Sequence, residues 1–158
     1  MSDYYDLFLA VDLPSDLPAS VVQEVRWLLG QADRAPATHA AVDWEDSGHE
    51  PWPVFDGGSA SHSFAGADTA LLVRAVDRAD PEGSAPWALT LRTGVHEDEF
   101  GVVMEAVEWL LRKATGVGWV GFVRSSAPEG IRHVIRRQDG FDLVDVRSAG
   151  TRAQVSWS

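Results

Sequence analysis

From Tyr4 to Leu13 the chain alternates. Tyr5, Leu7, Leu9, Val11 and Leu13 stand between Tyr4, Asp6, Phe8, Ala10 and Asp12, and a period of two is the mark of a β-strand. The second set still holds Phe8 and Ala10, which places this strand at the centre of a sheet, where both faces are partly covered. After a turn-forming stretch from Pro14 to Pro18, the spacing changes. Val21, Val22, Val25, Leu28 and Leu29 recur as on one side of a helix, Ser20 and Gln23 have the form of a capping box, and Gly30 is a natural left-handed stop.

Between Gln31 and about Gly66 the periodicity disappears into Pro, Gly, Asp, Ala and Ser, with Trp44, Trp52, Val54 and Phe55 scattered through it. Loose connections longer than about 12–15 residues are uncommon, so the stretch is expected to lie as a flap over another part of the protein. Residues 69–76 and 86–93 read as two strands joined by a turn-rich segment, and so as a hairpin. Phe100, Val103, Met104, Val107, Leu110, Leu111 and Ala114 then form the clearest helical stripe in the chain. Glu97, Asp98 and Glu99 stand at its start and Arg112 and Lys113 in its last turn, the arrangement the helix dipole favours.

The remainder is β: residues 117–124, 131–137, 141–147 and 152–157, joined by Gly-containing turns, predict a meander. Strand, helix, two strands, helix and strand in that order predict an α+β fold. The expectation is a ferredoxin-like two-layer sandwich, with two helices on one face of an antiparallel sheet extended by the C-terminal meander. That architecture serves enzymes, regulators and binding modules alike.

The 158 residues suit a single domain spanning 1–158. The absence of cysteine excludes disulfides, thiolate metal sites and thiol nucleophiles. No apolar run approaches the roughly 20 residues of a membrane span, and Asp3 and Asp6 stand where a signal peptide would be basic; a cytoplasmic protein with no membrane partner is expected. One lysine against twelve arginines, two isoleucines and no asparagine fit a GC-rich bacterial coding sequence, so arginine by itself is no sign of function here.

The net charge of −11 is uneven. Residues 1–60 hold eleven acids against Arg26 and Arg34, whereas residues 117–158 hold six arginines against four acids. An acidic front half argues against nucleic acid, which needs a broad basic footprint, and favours a basic protein partner.

Four features are candidates for chemistry. The acidic loop from Asp43 to Glu50, with His49, offers oxygen and nitrogen donors, but its spacing matches neither an EF-hand loop nor a His-x-x-x-His helix. His96 beside Glu97, Asp98 and Glu99 suggests an acid–base group, against the simpler reading of helix-start chemistry. The arginines of the meander include Arg132 and Arg136. If Arg124 faces Ile131 in the hairpin, both share a face with Trp119 and Val123, while His133 lies across from Phe122. Finally, Trp27 on the first helix and Val102, Ala106 and Trp109 on the second lie opposite the core stripes. They must be covered by the flap, through Trp44, Trp52 and Phe55, or by another chain.

No nucleophile elbow, phosphate loop or cofactor signature is present, so no catalytic residue, metal or cofactor is expected. The reading is a non-enzymatic interaction module, binding through Trp27, Trp109, Trp44, Trp52, Arg132, Arg136 and His133. Its partner is a basic protein, as for an acidic immunity protein or antitoxin, or its own copy. The alternative is a small-molecule binding protein or enzyme, with a pocket between the sheet face and the 31–66 flap.

Overall fold

The alternating N-terminal stretch becomes strand β1 (Tyr4–Leu13) in the computed structural model, which describes residues 3–56, 69–74, 85–125 and 130–145. It is hydrogen-bonded along both edges, to β3 (Trp87–His96) on one side and β4 (Gly118–Ser125) on the other. With β2 (Thr69–Arg74), β5 (Ile131–Arg137) and β6 (Gly140–Asp145), these form one antiparallel sheet of order β2-β3-β1-β4-β5-β6. The expected α+β class and the pairing of β2 with β3 are present. The six-strand order is not that of the standard four-stranded ferredoxin-like sandwich. The expected strand at 152–157 lies outside the described residues.

Helices α1 (Ala19–Leu28) and α3 (Phe100–Lys113) cover the face of the sheet made by Leu7, Leu9, Val11 and Leu13 of β1, Leu89 and Leu91 of β3, Val123 of β4 and Val134 of β5. These residues join Val25, Leu28, Val103, Val107, Leu110 and Leu111 in one buried cluster. Truncating any of its leucines to alanine would cost about 2–5 kcal/mol.

The helix ends are built differently from one another. The expected Ser20–Gln23 capping box does not form: α1 begins two residues earlier, capped at Pro18, whose carbonyl takes the N–H groups of Val21 and Val22, which places Ser20 inside the first turn. At the other end Gly30 is left-handed, its N–H donating to the Trp27 carbonyl and that of Gln31 to the Arg26 carbonyl. This pair of bonds is a Schellman motif. The last turn of α3 is closed from the sheet: Arg136 of β5 donates through Nε to the Leu111 carbonyl at 2.8 Å and through a terminal nitrogen to the Gly116 carbonyl.

The segment after α1 packs outward of the helices as a third layer. Its short helix α2 (Trp44–Ser47) is capped by the Asp43 side chain, which accepts from the Asp46 N–H. Glu24 of α1, buried, accepts from the N–H groups of Ala40 and Ala41, each at 2.8 Å. Glu105 of α3 accepts from the Asp43 N–H, and the Phe55 N–H donates to the Leu28 carbonyl. Ala41, Val42, Val54 and Phe55 are buried on the outer sides of the helices.

Between β1 and β4 the backbones approach closely at Gly121, where an added Cβ would lie 1.9 Å from the Phe8 carbonyl oxygen. Neither strand can retreat, because each is paired on its far side. Gly121→Ala is expected to lower the unfolding free energy by roughly 2–4 kcal/mol. Gly101→Ala, on α3 where a Cβ meets nothing within 4 Å, should raise it by about 1 kcal/mol. Urea unfolding of the two variants checks both signs.

Candidate functional site

The tryptophans that face away from the core stripes are covered by the chain itself. Trp27 is 8% exposed, its ring 4.8 Å from that of His39, which continues to Trp44 at 6.1 Å and on to Trp52 at 5.1 Å. Val102 and Ala106 are buried beneath the same layer. Trp109 is half-buried, with the Lys113 ammonium 4.9 Å from its ring centroid. Trp27, Trp44 and Trp52 thus hold the outer layer to the helices. Of the described part of the expected flap, residues 40–55 pack on the helices through Glu24, Glu105 and the Leu28 carbonyl, while Gln31 reaches the sheet edge, its side-chain amide donating to the Ala70 carbonyl of β2 at 3.1 Å.

The other expected groups are dispersed. The register of β4 with β5 is as expected, Arg124 facing Ile131, Val123 facing Arg132 and Phe122 facing His133. A bulge between Trp119 and Gly121 then reverses Trp119, so Trp119 does not share a face with the two arginines. Arg132 pairs at 3.8 Å with Asp145 and Arg136 caps α3, both on the helix side. His133 lies on the opposite, open side, where its Nδ1 accepts from the Trp119 indole N–H at 2.8 Å. His96 caps the turn Glu97–Glu99, its Nδ1 accepting from the Asp98 N–H. Among the described residues no group of three or more His, Asp or Glu side chains is gathered to hold a metal, and no helix is long and apolar enough to cross a membrane.

What the structure does gather is the open face of the sheet. Phe8 of β1 stacks on Phe122 of β4 at 5.4 Å and on Trp119 at 6.1 Å, and Trp119 meets His133. Around this ladder stand Leu71 and Val73 of β2, Ile131 of β5 and Val144 of β6, each more than 40% exposed, as is Trp119. Of the six large apolar side chains exposed among the described residues, only Val117 lies off this face.

One end of the ladder carries an ionic cluster. Asp6, on the open side of β1, is fully buried beneath two guanidiniums. Arg92 of β3 binds it through Nε at 3.1 Å and a terminal nitrogen at 3.0 Å, and Arg124 of β4 through Nε at 2.7 Å. Hydrogen bonding to Asp6 raises the Arg92 pKa above its ordinary value; desolvation opposes this and the Asp6 charge adds to it. Asp6 follows from no motif. The only signal is an acid among the alternate positions of a strand that also carry Phe8 and Ala10.

No protein-family model, curated protein or solved structure matches the chain. Function must therefore be argued from these surfaces alone.

Asp6→Asn keeps the size of the side chain and removes its charge, which leaves Arg92 and Arg124 juxtaposed. The expected loss is about 2 kcal/mol, less than for a wholly buried triad because both arginines reach solvent. Thermal unfolding should show a smaller loss for Arg92→Gln, which leaves the Arg124–Asp6 bond in place.

Proposed function

We propose that the protein is a non-enzymatic interaction module that associates with a second copy of itself through the open face of its sheet. In this reading β1, α1, β2, β3, α3 and β4 make up a ferredoxin-like unit whose free face is widened by β5 and β6. The observation that carries the proposal is the exposed strip of Leu71, Val73, Trp119, Ile131 and Val144 around the Phe8–Phe122 ladder. Large apolar side chains exposed together on one face mark an interface in soluble proteins.

Charge favours a copy of the same chain. The open face holds Asp6, Asp12 and Asp142 against Arg92, Arg124 and Arg137, which cancel. The acid excess lies on the other side, with Asp43, Glu45, Asp46 and Glu50 in the outer layer and Glu105 and Glu108 on α3. Two copies of a chain of net charge −11 therefore meet least repulsion sheet to sheet. Six strands give a face roughly 29 Å by 23 Å, or about 650 Å², close to the roughly 800 Å² per partner of a stable interface. Single-stranded nucleic acid also stacks on aromatic platforms, but Arg92 and Arg124 are held by Asp6 and leave little basic footprint for a phosphate backbone.

Light scattering tests this. Wild-type protein at about 50 μM, a concentration above the dissociation constant of an ordinary stable dimer, should have twice the chain mass, in high salt as well as low. Trp119→Glu and Ile131→Glu, both at exposed positions, should give folded monomers. A monomeric wild type, or variants that stay dimeric, would overturn the proposal.

A second reading concerns the acidic outer side, which such a dimer leaves exposed. Here His39, Val42, Asp43, Trp44, Glu45 and Glu105 line a groove of about 480 Å³. His39 Nδ1 is buried there with no hydrogen-bond partner among the described residues. A lysine or arginine of a basic protein would meet the carboxylates of this groove. Titration with a panel of basic proteins should then show binding that weakens as salt rises, and that Glu45→Lys weakens about tenfold through loss and reversal of one charge.

A further inference from the structure

We propose a binding site for a small organic anion, a carboxylate or phosphate on an apolar body, in the cleft between α1 and the edge strand β2. The site is separate from the open sheet face and does not depend on that face being an interface. The cleft measures about 580 Å³, within the range of small-molecule sites. Its floor is Trp87, the first residue of β3, opposite Arg74 in the β2–β3 register.

Two guanidiniums converge on this one ring. Arg26, from the flank of α1 that also carries Val22, lies with its Cζ 5.5 Å from the Trp87 ring centroid, and Arg74, from the end of β2, at 5.0 Å. Leu17 and Val22 supply apolar wall, and Gln23 a polar edge. Arg74 is held by a bond from one terminal nitrogen to the Ser15 carbonyl at 2.7 Å, and Arg26 stands one turn before the Schellman turn that ends α1 at Gly30. The remaining N–H groups of Arg74 and all those of Arg26 have no hydrogen-bond acceptor among the described residues.

This is unusual for the molecule. The chain carries 24 acids against 13 bases, and its other strand and helix arginines are held: Arg92 and Arg124 on Asp6, Arg112 on Glu108, Arg132 on Asp145 and Arg137 on Asp142, with Arg136 on the Leu111 and Gly116 carbonyls. Arg26 and Arg74 have no carboxylate within ion-pair distance among the described residues, although they share one ring and repel each other. Cation–π attraction to the indole offsets part of that repulsion. An anion between the two offsets the rest, and planar guanidinium forks suit the paired oxygens of a carboxylate or phosphate. The ring and the adjoining apolar wall would then take the ligand's body.

Phenyl phosphate, benzoate and inorganic phosphate are suitable probes, with phenol as the neutral control, followed by NMR of the tryptophan indole and arginine Nε–H signals. Saturable shifts at Trp87, Arg26 and Arg74 are expected for phenyl phosphate or benzoate, with a Kd of about 1 mM or below. Whichever of the two binds more tightly identifies the preferred anion. Arg26→Gln and Arg74→Gln should each weaken binding about tenfold, the loss of one charge-assisted contact, whereas Arg112→Gln, on α3 outside the cleft, should leave it unchanged. The proposal is overturned if shifts stay linear to about 10 mM, if phenol binds as well as the anions, or if the Arg26 and Arg74 variants bind as the wild type does.

Discussion

Strand β1 is hydrogen-bonded along its whole length to β3 and over half of it to β4, and most of the molecule answers to that constraint. A strand paired on both edges cannot rotate a side chain toward solvent at an edge, so each residue belongs to one face or the other. Leu7, Leu9, Val11 and Leu13 therefore define where the helices must lie. Asp6 is committed to the other face in the middle of the sheet, and its charge is matched from the two flanking strands, by Arg92 and Arg124. The close approach of β4 follows from the same pairing, and Gly121 is the residue that allows it.

The helices carry apolar residues on two sides, and the structure resolves this by building a third layer. Residues 31–56 cover Trp27, Val102 and Ala106, tied down by buried Glu24 and by Glu105, whose carboxylates accept backbone N–H groups that a loop would otherwise leave to water. With that layer on the helices, the described chain leaves the far side of the sheet uncovered. The exposed apolar face is thus a consequence of where the flap is needed.

Much of this was legible in the sequence. The alternation of β1, the α3 stripe, the β2–β3 hairpin and the Arg124–Ile131 register of β4 with β5 all rest on local periodicity or turn chemistry, and they stand as expected. The off-core tryptophans pointed to a cover, and the flap that holds Trp44 and Trp52 supplies it. What was not legible depends on partners distant in sequence or on one-residue irregularities. The bulge before Gly121 turns Trp119 away from Arg132 and Arg136, and no periodicity predicts a single inserted residue. Pro18 displaced the capping box because the helix starts two residues early. Asp6 meets Arg92 and Arg124 across 86 and 118 residues, and Arg26 meets Arg74 over a ring on a third element.

The distribution of charge connects these surfaces. In a strongly acidic chain a basic side chain should find a carboxylate at little cost, and most of the strand arginines do. On the open face Arg92 and Arg124 share Asp6, Arg137 takes Asp142, and the nearby Asp12 brings the sum of these charges to zero. Arg136 is spent on the α3 carbonyls, and Lys113 lies against Trp109. Arg26 and Arg74 differ because they line one cleft over a shared ring and have no carboxylate partner among the described residues. A fold this acidic gains nothing in solubility from such a pair, since its outer surface already carries the charge that keeps copies apart. The pair is therefore where the proposed anion would meet positive charge that no carboxylate of the described chain already holds.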